Sequence, residues 1–130
     1  VSIHADPIRF YPFFWGHAHE TGKGAGLGYN LNIPLPRGTA DDGFMTGLAN
    51  GLAHARAFAP SAVVIALGLD AFEGDPFGGL AVSTQGFFGI AKLLSELDLP
   101  MVVVQEGGYL CDALGENLEA FFGGLAESTT

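Results

Sequence analysis

Ala62-Val63-Val64-Ile65-Ala66-Leu67-Gly68-Leu69-Asp70-Ala71-Phe72-Glu73-Gly74-Asp75-Pro76 decides the fold class of this 130-residue chain. The run Ala62 to Leu67 is short, apolar throughout and half β-branched, so it reads as a parallel strand covered on both faces. Two carboxylates, Asp70 and Asp75, follow at once, where open α/β sheets hold ligands. The arrangement recurs at Met101-Val102-Val103-Val104, which leads into Gln105-Glu106-Gly107-Gly108-Tyr109. Between these strands a helix starting at Ser83 or Thr84 would use Phe87, Phe88, Ala91, Leu94 and Leu97. A last helix, opened by Asp112, would use Leu114, Leu118, Phe121, Phe122 and Leu125. Upstream, Thr39 or Asp41 can cap a helix carrying Phe44, Leu48, Leu52, Ala55 and Phe58 and ending before Pro60. Right-handed parallel crossovers put successive strand ends on one sheet edge, so Asp70 and Tyr109 should reach one cleft. The expected fold is α/β: three-layer, with a mostly parallel sheet and flanking helices, in a single domain over residues 1–130.

The rest of the chain is loop-rich. Residues 5–28 combine Pro7, Phe10, Tyr11, Pro12, Phe13, Phe14 and Trp15 with five glycines, and a loop of that length in a compact domain usually serves function. The aromatic run reads either as an anchor for this loop or as the wall of an apolar channel. Tyr29 to Ile33 reads as a short extended segment ended by Pro34 and Pro36. Val1-Ser2-Ile3-His4 reads as the tail of a buried strand with no methionine before it. An upstream portion removed, or a segment of a longer reading frame, would account for that start.

Composition narrows the partners. Fourteen Asp and Glu against five Lys and Arg give a net charge of −9, which repels nucleic-acid phosphates and favours a cationic ligand. No run of about 18 apolar residues is present, so no membrane partner is expected. The lone Cys111 excludes an internal disulfide and suits a reducing, cytoplasmic setting. Asp70 and Asp75 read equally as turn caps or as ligands, and Glu106 to Tyr109 as a plain helix entry or as a site. Metal binding is a weak reading for His17 and His19 in their glycine-rich loop and a somewhat stronger one for His4 with Asp6. His54 reads as a residue on a helix flank.

The stretches Val1 to Pro7, Phe10 to Gly16, Asn30 to Pro36, Leu67 to Pro76 and Glu106 to Tyr109 together resemble the C-terminal half of zinc-dependent deacetylases of the arginase/deacetylase fold. Within that superfamily the chain is most similar to acetylpolyamine amidohydrolases and class II histone deacetylase-like proteins. The resemblance implies a hydrolase acting on a cationic acetylated amine or an acyl-lysine, with Asp70 as a zinc ligand and Tyr109 as the hydrogen-bond donor to the oxyanion. It implies Tyr11, with Phe10 as the neighbouring alternative, and Phe77 as channel walls, and Gly107 and Gly108 as sites of close substrate approach. It also implies potassium at two sites, one held by Ser2 and the backbone of Ile3 and a second held in part by the backbone of Tyr29, and leaves Asp75 a supporting role. The family's Asp-x-His zinc pair and tandem histidines occur nowhere in residues 1–130. A catalytic zinc takes three protein ligands, so this chain by itself is expected to be inactive and to bind zinc poorly. The alternative is a non-catalytic half-domain that complements a partner or pairs with itself through an exposed sheet edge or face.

Overall fold

The computed structural model describes residues 1–127. β1 (Ser2–Ala5) pairs in parallel with β2 (Asn32–Leu35), Ser2 opposite Asn32 and Ala5 opposite Leu35. β3 (Val63–Leu67) pairs in parallel with β4 (Met101–Gln105), Val63 opposite Met101 and Leu67 opposite Gln105. Three helices follow the expected order: α1 (Asp41–Phe58), α2 (Thr84–Ser95) and α3 (Leu114–Glu127). The α/β class with parallel strands and flanking helices is thus the observed one.

Local departures from the sequence reading have identifiable causes. β2 runs through Pro34, which sits opposite His4, instead of stopping there. Only β1 pairs with β2 among the described strands, and an edge strand tolerates a residue without an N–H. Neither Thr39 nor Asp41 caps α1; Ala40 holds that position with no side-chain bond. Asp41 is spent elsewhere. Its Oδ1 accepts from the Ser83 N–H at 2.8 Å and its Oδ2 from the Ser83 hydroxyl at 2.6 Å. Ser83 in turn caps α2 by accepting from the Gly86 N–H at 2.9 Å, so one carboxylate ties the starts of two helices together. Helix α3 begins at Leu114, two residues after Asp112.

The core lies between the sheet and one layer of helices. Phe87 and Phe121 are buried at 1% and 0% exposure, and Leu35, Leu48, Leu52, Leu67 and Ile90 complete the same cluster. Helices α2 and α3 approach closely at Gly124, where an added Cβ would stand 2.9 Å from that of Ala91 and closer still to the Phe88 carbonyl oxygen. Helix α1 lies on β1 and β2 through Gly51, whose added Cβ would stand 2.9 Å from Val1.

The two strand pairs do not hydrogen-bond to each other among the described residues. A cavity of about 1930 Å³ lies between them, lined by both β1 and β3 and floored by Phe44, Leu48 and Phe87. Ile65, Met101 and Val103 pack on the core, whereas Val64, Val102 and Val104 are 71%, 59% and 46% exposed. The expectation that β3 is covered on both faces is therefore not met within the described residues, whose helices pack on one face only. No described helix is long and apolar enough to cross a membrane.

Phe121→Ala empties the centre of this core. It should cost about 3–5 kcal/mol of unfolding free energy, read from urea denaturation followed by circular dichroism.

Candidate functional site

The site grows from the carboxyl ends of β3 and β4. Their hydrogen-bond ladder runs on past both strands: the Glu106 N–H donates to Leu67 O at 2.9 Å and the Leu69 N–H to Gly107 O at 3.0 Å. Leu69, 1% exposed, anchors a single 3₁₀ turn, Leu69–Ala71. That turn presents Asp70 to the cavity. Two glycines make room for its carboxylate. A Cβ at Gly68 would stand 2.6 Å from Asp70 Oδ1, and one at Gly107 would collide with both carboxylate oxygens. Gly107 was expected to admit a substrate; its first effect is to admit Asp70. Burial pushes the Asp70 carboxyl above its ordinary value, opposed by a hydrogen bond from its own backbone and reinforced by the Asp75 charge.

Tyr109 stands beside this turn. Gly108 precedes it at φ +122°, a backbone region that favours glycine. The Tyr109 ring meets Phe77 edge to face at 4.9 Å between centroids. Asp70, Phe77, Gly107 and Tyr109 all line the one cavity, together with Tyr11. Tyr11 is 78% exposed, while Phe10 packs against the core with the Arg37 guanidinium 4.9 Å from its ring centre. Both line the cavity, Tyr11 exposed and Phe10 packed against the core.

Histidine is otherwise engaged. His4 Nε2 lies 2.8 Å from Gly16 O, which only accepts, so that nitrogen donates; in the neutral ring Nδ1 then accepts from the Ser2 hydroxyl at 2.7 Å. His17 and His19 stack on one another at 5.6 Å, and His17 Nε2 lies 3.2 Å from Phe13 O. Asp6 accepts from the Ile8 N–H. His54 is half-buried on α1. The described residues contain no group of three or more His, Cys, Asp and Glu placed to hold a metal ion. Asp70 has the chemistry of one zinc ligand, and the described residues do not supply the other two.

Ser2 and Ile3 lie on β1, and Tyr29 lies just before β2 with its N–H donating to Gly26 O. Glu20 carries a role that the sequence reading missed. Its Oε2 accepts from the N–H groups of Gly16 and His17 at 2.6 and 2.7 Å and from Asn32 Nδ2 at 3.2 Å. Asn30 Nδ2 donates to its backbone oxygen. One carboxylate thereby folds the long loop onto β2. The only hint in the sequence is a lone acidic residue in a glycine-rich loop that leads into Asn-x-Asn.

Comparison with known proteins places the chain in a family. The histone deacetylase domain model matches residues 1–125. An acetylpolyamine amidohydrolase of Burkholderia pseudomallei is 46% identical over 125 residues, covering 96% of this chain and 37% of the relative. One of Mycoplana ramosa is 36% identical over 126 residues, covering 97% of this chain and 37% of the relative. The crystal structure of acetylpolyamine aminohydrolase from Burkholderia pseudomallei superposes with a TM-score of 0.92 at 44% identity, over 95% of this chain and 36% of that one. A histone deacetylase homologue from Aquifex aeolicus gives 0.84 at 30% identity, over 98% of this chain and 34% of that one. The chain thus spans a little over a third of the length of the curated relatives it matches.

The raised carboxyl of Asp70 has a consequence for stability. The folded state takes up the proton before the unfolded state does, so its stability falls as pH rises through the Asp70 value. Asp70→Asn should therefore melt higher than the parent at neutral pH. The gap should close as pH falls through the raised value and vanish below about 3.8, in thermal melts taken across that range.

Proposed function

The chain belongs to the histone deacetylase domain family, and from that premise we propose that it forms part of a zinc-dependent amidohydrolase that removes acetyl groups from an acetylated polyamine or acyl-lysine. The observation that carries this reading is the pairing of Asp70 and Tyr109 at one cavity, joined by the Leu69 N–H to Gly107 O bond. In this reading Asp70 is one of three zinc ligands and the other two come from outside the chain. A zinc held there supplies polarisation of the amide carbonyl and a water of lowered pKa. The Tyr109 phenol donates a hydrogen bond to the carbonyl oxygen as it gains negative charge. Tyr11 and Phe77 flank the acyl chain and keep water from it. The net charge of −9 draws cationic amines towards the site. Of the two substrate classes the polyamine is favoured, because the 46%-identical relative carries that name. Potassium at Ser2 and at the backbones of Ile3 and Tyr29 belongs to the same proposal, and all three are oxygen donors suited to a hard cation.

A graft tests the reading. Residues 1–125 replace the matching segment of the Burkholderia pseudomallei relative, and acetate release from an acetylated diamine is followed with and without a zinc chelator. The graft should be active and chelator-sensitive, and Tyr109→Phe should lower its kcat about 10²–10³-fold with little change in KM. A folded graft that releases no acetate would overturn the proposal. The 130-residue chain alone should show no stoichiometric zinc uptake in dialysis against micromolar zinc.

The second reading, a half-domain that pairs with a partner or with itself, rests on a different observation. β1 and β3 each keep one edge unpaired among the described strands, and the Val64, Val102 and Val104 face is exposed. Open edges beside an apolar face promote association. Sedimentation velocity of the chain should then show concentration-dependent oligomers that Val64→Lys with Val102→Lys reduces. A strictly monomeric parent chain would remove this reading.

A further inference from the structure

We propose that Asp75 is a positioning residue that sets the placement of Tyr109 against Phe77; the catalytic consequence rests on the reading of Tyr109 given above. The Asp75 carboxylate divides its two oxygens between two loops. Oδ1 accepts from the Phe77 N–H at 2.8 Å, closing a turn within its own loop. Oδ2 leaves that loop and accepts from the Tyr109 N–H at 2.8 Å, 34 residues further along the chain. A turn cap needs only the first bond. The second falls where the ladder between the strand ends stops, since Leu69 to Gly107 is its last rung and Gly108 follows at φ +122°. Asp75 is thus the next backbone tie after a glycine pair that would otherwise leave Tyr109 free to swing.

The same carboxylate places both members of the ring pair. Phe77 and Tyr109 meet at 4.9 Å with planes 78° apart, and each has its backbone N–H on one oxygen of Asp75. Asp75 is itself held, its N–H donating to Phe72 O at 3.1 Å and its carbonyl accepting from Gly78 at 3.3 Å. The chemistry needs two acceptor oxygens at this reach. An asparagine offers one acceptor and can serve only one of the two loops, and a glutamate sets the oxygens one methylene too far out.

Two measurements test this. In the 130-residue chain, amide hydrogen exchange is read by NMR for Asp75→Ala and Asp75→Asn. Protection of the Tyr109 amide should fall at least about tenfold in Asp75→Ala, with amides of β3 and β4 unchanged. Unchanged Tyr109 protection overturns the proposal, whatever the chain's activity. Should Asp75→Ala fail to fold, Asp75→Asn is read at both amides: its single acceptor serves one loop, so protection should fall at Tyr109 or at Phe77, and unchanged protection at both overturns the proposal. In the active graft, Asp75→Asn should lower kcat about 10–100-fold while KM and zinc content stay at parent values, the size of effect a small misplacement of a reacting group produces. The decisive comparison is made again in the Tyr109→Phe background. A residue acting through the phenol loses little more there, whereas one that merely holds the loop together loses the same factor in both backgrounds, and that equality also overturns the proposal. An inactive parent graft would count against the deacetylase reading alone and leave the exchange result to decide the placement of Tyr109.

Discussion

The parallel pairing of β3 with β4, continued beyond both strands to the Leu69 N–H and Gly107 O, is the constraint on which the site depends. Parallel ladders place the ends of both strands on one edge. Because Leu67 lies opposite Gln105, the residues that follow each strand leave the sheet side by side. A shift of one residue would turn every side chain of β3 to the opposite face and carry Leu67 out of the core. The buried Leu69 resists that shift from the loop side, since it is packed at 1% exposure directly before Asp70.

On that frame the acidic residues divide their work. Asp41 joins two helix starts, Glu20 folds the long loop, Asp75 spans two strand-end loops, and each does so by accepting backbone N–H groups on its side-chain oxygens. Asp70 differs. Burial raises its carboxyl, and its side chain is enclosed by glycines instead of cations. A carboxylate held half-buried without a positive partner is costly to keep charged. The same logic separates the histidines, since His4 has both ring nitrogens occupied by Ser2 and Gly16.

One-sided packing is the other feature that organises the molecule. Ile65 and Val103 face the core cluster that the helices fill, and the opposite face shows Val64, Val102 and Val104. The cavity between β1 and β3 is lined by residues that are otherwise core. The chain matches 37% of the length of its 46%-identical relative, and Asp70 lies at the cavity within that part. The carboxylate is in place, and the described residues do not complete a metal site around it.

Much of the architecture was legible in the residues themselves. The β-branched runs at Val63 and Val102, the helical spacing of Phe87, Ala91 and Leu94, and a cap at Ser83 or Thr84 mark elements through local chemistry alone, and the structure keeps them, with Ser83 as the cap. The family resemblance picked out Asp70 and Tyr109, and the geometry sets both at one cavity. Side-chain bonds between distant segments were not legible. Asp41 read as a cap because that use is local, but its partner Ser83 is 42 residues away. The reach of Asp75 to Tyr109, the need for Gly107 beside Asp70 and the differing burial of Phe10 and Tyr11 were closed to the sequence for the same reason. By itself the sequence determined the strands and the helices, because periodicity is a property of neighbouring residues, and its motifs carried the resemblance to the family. Only the tertiary structure decided which N–H the carboxylates of Asp41 and Asp75 answer, because Ser83 and Tyr109 lie on segments far along the chain that the fold alone brings beside them.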